Sequence, residues 1–177
     1  MQGGMETGNA LADIITGNIN PSGRLADTWA DSYEDYPCSD TFSERNPEKY
    51  QEDYREGIFV GYRWFDKTDL DPRYPFGYGL SYTEFEIKFD SVSNSGSNIT
   101  VKASVTNTGK VAGREVVMLY LSYPDSHHVR EVRSLAAFAK SSLLEPGESE
   151  LVKLEFDITC FASFDKEASG FILEKGE

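Results

Sequence analysis

The sequence predicts a mainly β chain whose second half is an immunoglobulin-like β-sandwich. Three observations carry that prediction. Val101, Ala103 and Val105 alternate with Lys102, Ser104 and Thr106, and Val152, Leu154, Phe156 and Ile158 alternate with Lys153, Glu155 and Asp157. Each pattern gives a strand one buried and one wet face, as in antiparallel sheets. Turn residues separate the apolar stretches at Asn94-Ser95-Gly96, Asn107-Thr108-Gly109 and Pro146-Gly147. Several short strands at such spacing make a sandwich.

The elements follow in order. Leu11, Ile14 and Ile15 fall on one helical face, and Gly17 suits the position past a helix end, so a helix is expected over about Met5–Thr16. A helix that short is marginal in water without a packing partner, a first sign that the chain is a piece of something larger. Asn20-Pro21-Ser22-Gly23 is a tight turn, and Ala26–Trp29 reads as a short strand. Residues 31–57 are polar and acidic and read as a long surface loop. Of the 23 aromatic residues, eleven lie between Tyr50 and Phe85, without helical or strand periodicity. That density predicts an irregular segment that clamps onto other surfaces by burying rings. Strands are then expected at Glu84–Phe89, Asn98–Thr106, Glu115–Ser122, Leu135–Lys140, Glu150–Ile158, Phe161–Phe164 and Phe171–Leu173. Val116–Leu121, apolar on both faces, reads as a central strand.

Composition excludes several functions. Seventeen basic and thirty acidic side chains give a net charge of -13 and a pI of about 4.6. Both halves are acidic, with seven basic against fifteen acidic residues up to Tyr82 and ten against fifteen after it. Nucleic acid and anionic membrane are therefore not expected partners, since phosphate binding needs clustered Lys and Arg. No apolar run reaches the length of a membrane helix. The N-terminus lacks the basic start and apolar block of a secretion signal, and the compartment stays open. Two cysteines, Cys38 and Cys160, exclude a disulfide scaffold and a four-cysteine zinc site, and are read as free thiols.

The ordered motifs carry a resemblance. Gly8–Gly17, Asn20–Leu25 and Thr28-Trp29 resemble the last helix and following turn of the α/β sandwich domain of glycoside hydrolase family 3. Arg55–Asp66 is similar to that family's crossing segment, and Pro75–Phe85 to its late motif. Val105–Gly109, Gly113–Val117, Leu119–Leu121, Leu135–Phe138 and Leu144–Ser149 resemble the fibronectin type III-like domain that ends many members. The resemblance implies three parts: residues 1–30 as the remnant of the α/β sandwich domain, 31–82 as an irregular aromatic crossing segment, and 83–177 as the fibronectin type III-like sandwich.

It also implies a parent that is a retaining exo-acting glycosidase, a β-glucosidase or a relative acting on xylosides, with β-linked glycosides as substrates. The family's Asp nucleophile and Glu acid/base lie upstream of the region matched. The chain alone is therefore expected to be inactive, with the upstream catalytic domains as its partners, and no catalytic, cofactor or metal residue is assigned. The chain stops at Gly176-Glu177, where the family's domain runs on into a strand. The expectation is a missing last strand and an unpaired edge open to self-association.

Other residues have a simpler reading beside the functional one. Retaining hydrolysis needs two carboxyl groups about 5–5.5 Å apart. Glu56 is the most tempting single candidate, but a carboxylate hydrogen-bonded or ion-paired to hold the crossing segment is the better reading. Tyr62, Trp64 and Tyr78 are the candidate sugar contacts, with Phe65 and Tyr74 beside them. The competing reading makes these rings, and Trp29, glue between domains. A stand-alone carbohydrate- or protein-binding module is the alternative function. His127-His128 is expected in a solvent-exposed loop after Pro124. Asp66, Asp69 and Asp71 do not match an EF-hand spacing and read as an acidic loop. Asn98-Ile99-Thr100 is a glycosylation sequon, meaningful only in a secreted eukaryotic protein.

Overall fold

The computed structural model describes residues 4–42, 45–48, 50, 54–123 and 126–174. The expectations attached to Pro124 and to Gly176-Glu177 lie outside them. The chain is mainly β, with two helices, α1 (Thr7–Ile15) and α2 (Tyr62–Thr68). Seven strands follow: β1 (Phe85–Ser95), β2 (Asn98–Asn107), β3 (Val116–Ser122), β4 (Arg133–Lys140), β5 (Ser149–Asp157), β6 (Ser163–Asp165) and β7 (Gly170–Ile172). They form one sheet ordered β1-β2-β5 and two pairs, β3-β4 and β6-β7.

Contacts divide the chain into two units. One comprises Met1–Arg24, Gly79–Met118 and Phe138–Glu155; the other comprises Leu25–Tyr78, Leu119–Ala137 and Phe156–Glu177. We call them the first and second unit.

In the first unit, α1 ends where expected. Gly17 takes a left-handed φ of 79° and its amide bonds to the Ile14 carbonyl at 3.0 Å, a closure that favours glycine. No residue of α1 is buried; Leu11 is 55% and Ile15 71% exposed. The core is the alternating row predicted on β2 and β5: Val101, Ala103, Val105, Val152 and Leu154, joined by Val117 and Leu144. β1 pairs antiparallel with β2 and runs to Ser95, six residues beyond its expected end. Gly96, at φ 63°, makes the reversal, with Ser95 opposite Asn98.

The β1 register slips at Asp90. Without that bulge Val92 would turn to the wrong face. With it, Ile87, Phe89 and Val92 lie opposite Val105, Ala103 and Val101, on the core face. They are nonetheless exposed, Phe89 by 69%.

Three expectations are corrected. Ala26–Trp29 is not a strand: only Trp29 bridges, exchanging backbone bonds with Tyr74 at 2.8 and 3.1 Å. The aromatic segment is not wholly irregular, because it contains α2. β3 is not central, because β4 is its one sheet neighbour among the described residues.

Candidate functional site

The family-like motifs of the first unit converge on a set of polar ties. Asn107, fully buried, uses its whole amide. Its Oδ1 accepts from Thr83 Oγ1 at 2.7 Å and from the Gly109 amide at 3.1 Å. Its Nδ2 donates to the carbonyls of Val111 and Leu144 at 2.9 and 2.8 Å. Asn20 acts similarly: Nδ2 donates to the Ala112 carbonyl, and Oδ1 accepts from Ser81 Oγ and the Tyr82 amide.

Arg24 Nη2 reaches Glu115 Oε2 at 2.6 Å, and Glu115 Oε1 also accepts from the Val116 amide. Gly79, Gly109 and Gly113 allow these approaches. A Cβ at Gly113 would meet Asn20 Nδ2 at 2.6 Å; at Gly79 it would strike the Gly23 carbonyl, and at Gly109 the Thr83 hydroxyl.

The second unit holds a cavity of about 590 Å³. Helix α2 builds one wall. Tyr62, Phe65, Asp66 and Asp69 stand at i, i+3, i+4 and i+7, one helical face, and all four line the cavity. Asp69 ends the helix in the left-handed region at φ 55°. Leu70 to Pro72, Pro75 and Phe76 form a second wall, Tyr120 of β3 and Val132-Arg133 a third, and Thr28 a fourth.

Arg133 grips Asp66 with two bonds, Nε to Oδ2 at 2.8 Å and Nη2 to Oδ1 at 3.0 Å. Its guanidinium lies 4.8 Å from the Tyr120 ring centre, a cation–π distance. The bond to Asp66 holds the Arg133 pKa above its ordinary value, and burial pushes the Tyr120 phenol up. Thr28 is 6% exposed, and its hydroxyl oxygen, shut off from solvent, has no hydrogen-bond partner among the described residues. Asp69 and Asp71 are exposed, and their carboxylates make no hydrogen bond or ion pair among the described residues.

The three candidate sugar contacts are separated. Tyr62 lines the cavity; its ring meets Phe76 at 5.3 Å and Tyr120 at 5.9 Å, and its hydroxyl accepts from the Leu135 amide. Trp64, on another face of α2, donates Nε1–H to the Asp35 carbonyl at 2.8 Å. Tyr78 packs against Tyr74 and is 37% exposed. Neither Trp64 nor Tyr78 lines the cavity, and no ring contact joins the three.

Glu56 accepts from Cys38 Sγ at 3.3 Å, while Arg55 pairs with Asp40, as the bracing reading of that carboxylate expects. Asp66 is an ion-pair partner rather than part of a loose acidic loop. His128 is half-buried, with Nε2 3.4 Å from Asp165, so the exposed-loop reading fits His127 alone. Cys38 and Cys160 are free. Phe76, Tyr120, Arg133 and Thr28 join the cavity from separate stretches of the chain, and no local pattern marks them as its lining. The helical spacing of Tyr62, Phe65, Asp66 and Asp69 was present and could have revealed α2.

Residues 1–82 match the glycosyl hydrolase family 3 C-terminal domain, and residues 115–177 the fibronectin type III-like domain. The chain belongs to glycoside hydrolase family 3, to its C-terminal portion. β-Glucosidase A of Butyrivibrio fibrisolvens is 40% identical over 99% of this chain and 24% of its own length. β-Glucosidase 3B of Thermotoga neapolitana, solved with α-D-glucose, superposes with a TM-score of 0.86 at 42% identity, over 93% of this chain and 23% of that one. A β-glucosidase from Paenibacillus barengoltzii gives 0.86 at 39%, over 98% and 20%. The chain thus spans about a quarter or less of the relatives it matches. The residues matched to the fibronectin type III-like domain carry β3 to β7, and the chain as a whole has the mainly β make-up of a sandwich.

Proposed function

We propose that this polypeptide is the non-catalytic C-terminal portion of a β-glucosidase-type family 3 glycoside hydrolase, bracing the upstream domains that carry the catalytic groups. Residues 1–30 then close an α/β sandwich domain, 31–82 cross from it, and 83–177 form the terminal sandwich. One observation carries this reading. The residues that make the sequence resemble the family, including Asn20, Arg24, Gly79, Thr83, Asn107, Gly113 and Glu115, are used up in internal ties. Residues wholly engaged with their own chain have no valence left for a substrate. The uncovered apolar stripe of α1 supports the same reading, since larger enzymes bury such surface against a neighbour.

The cavity does not supply the chemistry. Retaining hydrolysis needs two carboxyl groups facing each other across the ligand, free to act on it. Asp66 is tied to Arg133, and Asp69 and Asp71 face solvent.

The test is direct. The purified 177-residue chain should show no turnover of an aryl β-glucoside, and turnover that survives removal of contaminating activity overturns the proposal. A chimera in which this chain replaces the matching quarter of the Thermotoga neapolitana enzyme should fold and stay active, where the truncated enzyme does not.

A further inference from the structure

We propose that His128 is a proton-operated latch: protonated, it fastens the β6–β7 hairpin to the segment Ser126–Arg130, and deprotonated, it lets the hairpin loosen. The inference goes beyond bracing and does not depend on it. All the residues it uses belong to the second unit.

Four charged side chains meet here. Asp165 ends β6 and Glu174 follows β7, while His128 and Arg130 face them from the segment Ser126–Arg130. Glu174 is well matched. It accepts from Ser126 Oγ and from the His127 amide, and Arg130 Nε stands 3.8 Å from its Oε2. Arg130 also donates from Nη2 to the Phe161 carbonyl at 2.7 Å, and its guanidinium lies 4.3 Å from the Tyr123 ring centre. Those contacts hold Arg130 to the Glu174 side of the cluster. Asp165 is served differently. Its Oδ1 accepts from the Ala168 amide at 2.6 Å, within the turn into β7, and its Oδ2 lies 3.4 Å from His128 Nε2. Among the described residues, His128 is the one cationic partner Asp165 has.

The charge count makes the proton decisive. With His128 neutral, two carboxylates face one guanidinium; with it protonated, two anions face two cations. None of the four side chains is more than 26% exposed, so water screens the imbalance incompletely. The neighbouring titratable groups do not redress it. His127 is exposed and meets Glu174 through its amide, Lys166 and Glu167 of the β6–β7 turn are exposed, and so is Cys160 beside Phe161.

The latched form gains the His128–Asp165 attraction on protonation and the released form does not, so the latched form binds the proton more tightly. By linkage, latching strengthens as pH falls through the ordinary histidine range near 6.5 and is lost as pH rises through it. The hairpin is built to feel so small a change. It pairs only Ser163 with Ile172, Phe164 with Phe171 and Asp165 with Gly170. A two-stranded hairpin is marginal without outside contacts.

Amide hydrogen exchange of the intact 177-residue chain, followed by NMR at pH 5.5 and 7.5 and corrected for intrinsic rates, reads the latch. Protection of the β6 and β7 amides should be about three- to fivefold higher at pH 5.5, the scale of a partly exposed ion pair. The β2 amides of the first unit should not follow. His128→Gln and Asp165→Asn, the second keeping an oxygen for the Ala168 amide, should each flatten the ratio, and His127→Gln should leave it intact. A flat ratio in the parent overturns the proposal, as do hairpin amides without measurable protection at pH 5.5. So does a ratio that survives His128→Gln or Asp165→Asn, one that His127→Gln abolishes, or one that β2 shares.

Discussion

Asn107 gives the sharpest test of the ties. Asn107→Ala removes four side-chain hydrogen bonds, to Thr83, Gly109, Val111 and Leu144. Each is worth about 1 kcal/mol net. The Leu144 carbonyl keeps its bond from the Gly113 amide at 3.0 Å, and Val111 sits near solvent, so those two acceptors are not stranded. Thr83 is buried, and its hydroxyl loses the one acceptor it has within the core, adding a penalty of about 1 kcal/mol. The sum is about 4 to 5 kcal/mol, a third or more of a typical total stability of about 5–15 kcal/mol.

Urea unfolding at 25 °C reads this directly. With a slope near 2 kcal/mol per molar, the midpoint should fall by about 2 M at unchanged slope. Asn107→Asp should be at least as damaging, because it sets a carboxylate against two carbonyl oxygens. Asn94→Ala, at an exposed site on β1, should stay within about 0.5 kcal/mol. A loss below about 1 kcal/mol for Asn107→Ala would refute the idea that the motif residues act as ties.

Further outcomes are expected. Gly113→Ala should cost more than about 2 kcal/mol, since its Cβ would meet Asn20 Nδ2, Thr83 and Phe85 within 3.0 Å; a shift in urea midpoint measures it. Glu115→Gln should destabilise more than the double change Arg24→Met with Glu115→Gln, because the single change leaves Arg24 without its partner, and a double-mutant cycle resolves the two. The Glu174 carboxyl is held below its ordinary pKa, first by the Ser126 hydroxyl and then by the His127 amide. Its stabilisation is therefore complete above the unfolded glutamate pKa, and is lost as pH falls through the lower folded value. Melting temperatures of the parent and Glu174→Gln should run apart near neutral pH and converge in acid. The exposed row on β1, an end strand of its sheet, is expected to make the chain self-associate at high concentration, and Phe89→Lys should suppress this in sedimentation velocity.

The strands were the legible part, because burial on one face writes a period of two directly into the residues. Val101-Ala103-Val105 and Val152-Leu154 needed no tertiary knowledge. The β1 bulge was not legible: one extra residue at Asp90 breaks the period, so alternation ended at Phe89 while pairing continued to Ser95. Helix α2 was hidden for a different reason. In Tyr62–Thr68 nearly every position is bulky or charged, so the inward face did not stand out from its neighbours. The cavity could not be read at all, since Arg133 grips Asp66 across sixty-seven residues. Asn107 reads as a turn residue, which is what its neighbours Thr108 and Gly109 indicate and what its bonds to Gly109 and Val111 bear out; its two distant partners, Thr83 and Leu144, leave no local trace.

The same accounting separates what the two units do. At Asn107 each amide atom is matched, and at Arg24 and Glu115 the charges meet at 2.6 Å. Matching of that kind returns its free energy on folding and leaves nothing for a visitor. At Thr28 the balance is different: its hydroxyl oxygen is shut off from solvent and has no hydrogen-bond partner among the described residues. A buried hydroxyl left in that state costs the fold about 1–3 kcal/mol. Thr28→Val keeps the shape and removes the cost, so its urea midpoint should match or exceed the parent's. A lower midpoint would show that the hydroxyl contributes to the fold after all, and that buried polar atoms here need not be matched as Asn107 is.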